Sequence, residues 1–388
     1  MAKPHADRIY LDHAATTPLS ESVREAMLPW LSGGFGNPSS LHADGRRAKD
    51  AIDSARETLS RALGSLFAEA LFTSGGTEAA NLAILGTALQ NRESSRRRIL
   101  LGAAEHHCVL NTAPTLSALG FQVDLIPVDR QARVDSQWLK ENLDDQVLLV
   151  SVMHANNEFG TLNDIRLFAD LAHSEGALLH TDAVQTFLAP GLKWKVQDLD
   201  ADLVTVSAHK INGPKGTGAI YMRAGVKVKP LIAGGGQERE VRGGTENVMG
   251  IVGFGAAVAE HLTETTPDAN PRDHLRERAL SVGALLSVDS DTPMLRGHLH
   301  VRFPGIDAET LLIVLDRLGV SASSGAACSS GSIEPSHVML AAGYSQDEAK
   351  QGVRFSLGRK ATVAEAEDAA DRLAEALTQI GTAKRKSR

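Results

Sequence analysis

A chain of 388 residues is longer than one small core requires and suits two domains, or one large domain with a satellite. Its 43% apolar and 22% charged residues are those of an ordinary soluble globular protein. A net charge of −7 gives no electrostatic reason for nucleic acid or an anionic membrane to be the main partner. Two cysteines, Cys108 and Cys328, make neither a disulfide framework nor a CxxC metal spacing, which suits a reducing, cytoplasmic setting.

Met1–Tyr10 is charged at Lys3, Asp7 and Arg8 and has no apolar stretch of signal-peptide length. From about residue 70 to 225 one pattern recurs: a short apolar β-rich run, a polar or glycine tip, then a helical stretch. Leu71-Phe72-Thr73 leads to Ser74-Gly75-Gly76-Thr77 and a helix over Glu78–Leu85. Val147–Met153 leads to His154-Ala155-Asn156-Asn157, Ala177–His180 to Thr181-Asp182, and Leu203–Val206 to Ser207-Ala208-His209-Lys210. This alternation predicts an α/β fold with a mostly parallel sheet covered on both faces. Ligands of such sheets sit beyond the carboxyl ends of the strands, where these tips fall.

Val248–Leu262 is apolar and rich in Gly and Ala but too short to span a bilayer, so it reads as a buried helix. Thr263–His274 is polar, breaks regular structure and opens a second, smaller domain. There the sequence predicts a strand at His300–Phe303, helices at Ala308–Leu318 and near Ser336–Ala342, a strand at Val353–Leu357 and a closing helix over Val363–Ile380. The basic tail Lys384–Arg388 reads as a solvated, frayed terminus.

Lys210 follows a strand, at a cleft position where desolvation would favour the neutral amine that forms an imine. Pyridoxal phosphate would also need an acid for its ring nitrogen, a phosphate cradle and a cover for the ring. Asp182 ends a strand about one strand–helix–strand unit before the lysine; such an Asp also often serves as a helix cap. Ser74-Gly75-Gly76-Thr77 enters a helix, whose free N–H groups and dipole bind anions, though glycine there can be a simple turn. His106 could stack on the ring and move protons, or be structural.

Cys328 lies in Ser323–Gly331, a run without bulky or charged side chains, which predicts a flexible arm that could react in one place and deliver in another. Cys108 is assigned to packing. Gly213–Gly218 lacks the order of a nucleotide loop and runs into the strand-like Ala219–Met222. Gly234-Gly235-Gly236 gives no dinucleotide fingerprint. Glu105, His106, His107 and Cys108 are consecutive and cannot easily converge on one metal ion.

Taken together, the segments resemble the class V aminotransferases, and closely the cysteine desulfurases of the NifS/IscS type. The likeness runs from Tyr10–Thr17 to Val353–Arg359. Between them, in the family's order, stand Ser-Gly-Gly-Thr-Glu, Glu-His, Met-His-Ala-Asn-Asn-Glu, Thr-Asp-Ala-Val-Gln, Ser-Ala-His-Lys, Arg-Gly-Gly-Thr-Glu-Asn and Ser-Ser-Gly-Ala-Ala-Cys. The resemblance implies fold type I of the pyridoxal phosphate enzymes. Its large domain (16–260) would hold a mostly parallel seven-stranded sheet, and residues 1–15 and 261–388 a smaller α+β domain with the cysteine loop at 321–332. Lys210 would form the Schiff base, Asp182 would pair with the pyridinium nitrogen, and Gln185 would bond the ring hydroxyl. His106 would stack on the ring. Gly76, Thr77, Ser207 and His209 would hold the phosphate, joined by Thr245 across a homodimer interface. Asn157 and Arg354 match positions that hold the substrate carboxylate.

Cys328 matches the nucleophile that takes sulfur from L-cysteine, leaving L-alanine and a persulfide for a sulfur acceptor or scaffold protein in iron–sulfur assembly or another transfer. No resident metal is implied, although Cys328 could serve as a transient iron–sulfur ligand. Two features depart from the housekeeping members: the chain ends soon after its last helix, which affects scaffold docking, and a second thiol, Cys108, follows the stacking histidine. The rivals are a selenocysteine lyase, a sulfur donor to a tRNA- or DNA-thiolating system, and a catalytically idle scaffold subunit. No membrane and no direct nucleic-acid contact are expected.

Overall fold

A computed structural model describes residues 8–265, 269–325 and 335–386. After the short strand β1 (Ile9–Tyr10), the alternating segments form β2 (Ala70–Thr73), β3 (Arg98–Gly102), β4 (Gln122–Ile126), β5 (Val147–Ser151), β6 (Leu178–Asp182), β7 (Leu203–Ser207) and β8 (Gly218–Met222). These seven make one sheet in the order β2-β8-β7-β6-β5-β3-β4. β8 runs antiparallel to both neighbours, and every other pairing is parallel.

Continuous apolar runs such as Val-Leu-Leu-Val in β5 arise because both faces are covered, and all five of its residues are buried. Phe72, Val150, Leu179, Val204 and Val206 pack on one face with Leu59, Phe168 and Phe254 from the helices over it. Leu71, Leu101, Leu149, Leu203 and Ile220 face the other way, against Leu82, Ile84 and Leu116. Helix Val248–Thr263 is buried, as its glycines suggested. A Cβ on Gly255 would lie 2.8 Å from that of Ala55, so glycine is what lets this helix rest directly on helix Ala43–Leu63. No helix among the described residues is long and apolar enough to cross a membrane.

A second core gathers Ile9 and Leu11 with Leu275, Leu299, Val301, Leu311, Val353, Phe355 and Leu373. It lies between a three-stranded antiparallel sheet and the helices Pro271–Ser281, Ala308–Arg317 and Val363–Lys386. The sheet comprises β9 (Leu285–Leu286), β10 (His298–Arg302) and, beyond β11 (Val320–Ser321), β12 (Gly352–Ser356), with β10 central. β1 pairs in parallel with β11.

Several boundaries differ from the sequence expectation, three of them in helices. The stretch Thr263–His274 includes a helix start, because Pro271 occupies the first helical turn, where its missing N–H costs nothing. The helix after the Gly75 turn passes through a π turn at Leu82–Gly86 before resuming at Thr87–Gln90. The closing helix continues to Lys386, past the expected end at Ile380.

Candidate active site

The carboxyl ends of β2, β5, β6 and β7 open on one cavity of about 420 Å³. Its wall brings together Gly76, Thr77, His106, Asn157, Asp182, Gln185, Ser207, His209, Lys210 and Arg354, drawn from six separated segments. Thr245 is exposed and does not line this cavity within the chain. Cys328 lies outside the described residues, as does most of the predicted loop at 321–332.

Each side chain is placed by its local fold. After β7 a tight turn, Ala208–Lys210, points the lysine back over the sheet edge. Lys210 Nζ donates to the carbonyls of Ala14 and Ala15, the latter at 2.8 Å. Thr17 Oγ1 donates to the His209 carbonyl at 2.8 Å, and His209 Nδ1 lies 3.1 Å from Thr16 Oγ1. Residues 14–17 therefore fix the lysine turn. Gln185 Nε2 donates to the Ala14 carbonyl at 2.9 Å. His106 is the N-cap of helix His107–Leu110, its Nδ1 accepting from Cys108 N at 3.2 Å. Burial, and then the Lys210 charge, hold its imidazole down at about 4. The same two causes hold His209 at about 4.

Asp182 is 7% exposed, and its Oδ1 accepts from Val184 N at 2.9 Å. Burial pushes its carboxyl up to about 6, against the pull of that bond and of Lys210. A carboxylate desolvated at a cavity wall gains from any cation placed beside it. Among the described residues, Ser207 Oγ and Asn157 Oδ1 are buried without a hydrogen-bond partner. Such groups are costly unless a ligand meets them. Gly75 has φ 156° and ψ 178°, a region essentially confined to glycine. A Cβ on Gly218 would fall 2.5 Å from the Gly75 carbonyl carbon, so two glycines let this turn close against β8. Gly75 caps its helix without a side-chain bond, which leaves the first-turn N–H groups turned toward the cavity. A desolvated acid, an orphan hydroxyl beside a helix start, an imidazole and a lysine fit pyridoxal phosphate.

Arg354 is 3% exposed. Its guanidinium donates to Asp12 Oδ1 at 2.7 Å and to the Asn157 carbonyl at 2.8 Å. Three acids of this region, the half-buried Asp12 and the buried Glu105 and Glu158, received no role from the sequence. Asp12 orients Arg354. Glu105 accepts from Met153 N just past the end of β5, which stops at Ser151 short of the expected Met153, and among the described residues its Oε2 has no partner. Burial, then the charge of Asp182, raise Glu105 well above the usual carboxylate range. Glu158 is fully buried beside Asn157. An acid inside each quoted tip motif was the available signal for the last two. Cys108 lines the cavity and packs partly against the apolar cluster of Leu82 and Leu116. Among the described residues no group of three or more His, Cys, Asp or Glu could hold a metal ion.

Comparison with known proteins agrees with this geometry. The family model for class-V aminotransferases matches residues 9–368. A cysteine desulfurase IscS of Dictyoglomus turgidum is 42% identical over 355 residues, covering 90% of this chain and 89% of that protein. One from Methanosarcina thermophila is 41% identical over 377 residues, covering 96% and 91%. Among solved structures, a NifS-like protein superposes with a TM-score of 0.89 at 34% identity over 96% of this chain and 99% of its own. A structure of SspA in complex with cysteine does so with 0.81, at 34% identity over 91% and 99%. The chain thus belongs to the class-V aminotransferases, with the pyridoxal phosphate fold type I, among the cysteine desulfurases of the NifS/IscS type.

Proposed function

We propose that the protein takes sulfur from L-cysteine, releases L-alanine and holds the sulfur as a persulfide on Cys328. The observation that supports this most is the single cavity that gathers Asp182, His106, Lys210 and the orphan Ser207 hydroxyl. Lys210 would hold pyridoxal phosphate, with Asp182 at the ring nitrogen, Gln185 at the ring hydroxyl and His106 against the ring face. Gly76, Thr77, Ser207 and His209 would cradle the phosphate, completed by Thr245 of the partner subunit in a homodimer. When bound, this group supplies a sink for the electron pair left at the substrate Cα.

Arg354, held in place by Asp12, pairs with the substrate carboxylate, to which Asn157 Nδ2 donates. Lys210 Nζ, when not holding the cofactor, would take the Cα proton and return it. His106, neutral at physiological pH, can donate or accept at the substrate without a charge of its own. The Cys328 thiolate attacks the substrate sulfur; the new S–S bond forms as the C–S bond breaks, and the C–S electron pair takes up a proton at Cβ to give the methyl group of alanine. The persulfide then passes to a protein acceptor in a reducing, cytoplasmic compartment, for iron–sulfur assembly or another sulfur transfer. A large domain (16–260) and a small one built from residues 1–15 and 261–388 are the division proposed, and the separate apolar clusters around β5 and around β10 support it.

The purified holoenzyme should release alanine from cysteine, and Cys328→Ser should abolish persulfide formation while keeping the bound-cofactor absorbance. Undiminished turnover of cysteine by Cys328→Ser would sink the proposal. Turnover of selenocysteine alone by that variant would point to the lyase instead.

A further inference from the structure

Glu158 closes the Asn156-Asn157-Glu158 motif and has no part in the chemistry above, yet it is fully buried. Its Oε2 accepts from Ser336 Oγ at 2.5 Å, a length typical of a hydroxyl bonded to a carboxylate. The same end of the side chain occupies the space where Gly325 has no side chain. A Cβ there would lie 2.4 Å from Oε2 and 2.5 Å from Cδ. Gly325 also has φ +79°, so glycine is required on two counts. In the chain, Gly325 and Ser336 stand on either side of Cys328.

The same flanks are fastened to the cavity wall. Upstream, Ser323 and Arg354 exchange backbone hydrogen bonds of 2.7 and 3.1 Å. Downstream, His337 Nε2 lies 2.9 Å from the Glu105 carbonyl, and its ring is 4.2 Å from that of His107. Glu158 is itself held by Asn156, whose Oδ1 accepts from Glu158 N at 2.9 Å.

We propose that Glu158 is a positioning residue for sulfur transfer, its carboxyl joining the two flanks of the Cys328 segment to the turn that presents Asn157 and engages Arg354. This rests on Cys328 being the nucleophile. A substrate seated on Arg354 and Asn157 and a thiol carried between Gly325 and Ser336 are then referenced to one short piece of backbone. Burial pushes Glu158 up to about 7. Glutamine keeps both the acceptor for Ser336 Oγ and the volume beside Gly325, and alanine keeps neither.

Hydrogen exchange on the full cofactor-free chain tests the join without activity. The Ser323 amide, bonded to the Arg354 carbonyl, reports the upstream flank; the Met339 amide, bonded to Ser336 Oγ at 3.1 Å, reports the downstream one. Glu158→Ala should speed both by about tenfold, and Glu158→Gln should leave both within about threefold of wild type. Should Glu158→Ala fail to fold, Ser336→Ala must still speed exchange at Ser323, at the opposite flank. An unchanged Ser323 amide in whichever variant folds overturns the proposal. In holoenzyme, Glu158→Ala should slow persulfide formation about 10- to 100-fold while KM for cysteine stays within about threefold. An equal loss of cysteine binding would overturn it too. Wild-type enzyme that forms no persulfide on Cys328 would defeat the desulfurase mechanism itself, and the exchange comparison would still decide whether Glu158 joins the flanks.

Discussion

In the cofactor-free protein, burial raises the Asp182 carboxyl from 3.8 to about 6. Its folded pKa lies above its unfolded one, so its contribution is complete below about pH 4 and is lost as pH rises through 6. At pH 8 this side chain works against the fold by about 2–3 kcal/mol. Asp182→Asn should therefore raise the Tm of the cofactor-free protein at pH 8 and leave it unchanged near pH 4. The same variant in the loaded enzyme should lose at least ~100-fold in kcat, because the ring nitrogen loses its counter-charge. A Tm gain equal at both pH values would contradict the placement of Asp182. Lys210 and Asp182 were legible in the sequence because each stands where a β-rich run ends, and His106 because an imidazole can cover a ring and move protons. Glu105 and Glu158 were not. Their burial comes from segments distant in the chain, Met153 for one and Ser336 for the other.

Among elements, the three-residue turn Glu238–Glu240 departs most from ordinary backbone, with positive φ at Glu238, Arg239 and Glu240. It stays in place because Arg56 grips Glu238 with two bonds of 2.6 and 2.7 Å, both side chains being nearly fully buried. Glu238 also accepts from Phe72 N at 2.9 Å, and Arg56 donates to the Ala70 carbonyl at 2.7 Å. Helix Ala43–Leu63, β2 and the segment leading to Thr245 are thereby locked together. Arg56→Ala strands a buried carboxylate and should cost about 3–5 kcal/mol. Adding Glu238→Leu to Arg56→Met should recover part of the loss, the remainder being the unpaired Phe72 N and Ala70 carbonyl, measured by denaturant midpoint. No recovery would mean that the turn depends on the charges and not on filled volume. Strand positions were legible from apolar runs, whereas the reversed direction of β8 was not. Period and composition are the same for either direction, and only pairing with β2 and β7 decides it.

Across the whole molecule, buried imidazoles outnumber buried raised carboxyls. Burial lowers His106, His154, His209 and His261 to about 4, and His180, His298 and His300 to about 3. A histidine depressed in the folded state stabilises it above 6.5 and loses that contribution as pH falls through the folded value. Asp182 at about 6, Glu158 at about 7 and the raised Glu105 have the opposite sign. At pH 5 the seven imidazoles would gain protons on unfolding while the three carboxyls would release theirs, a net uptake of roughly four. The histidines lie in both cores and at the cavity, so the effect belongs to the assembled chain and not to one element. The Tm of the cofactor-free protein should fall steadily as pH drops from 6.5 to 4. Unfolding at pH 5 should take up protons, seen as a buffer-dependent enthalpy in calorimetry. A Tm maximum near pH 5, or proton release there, would mean that the carboxyls at the cavity outweigh the histidines and that the site governs the stability of the whole.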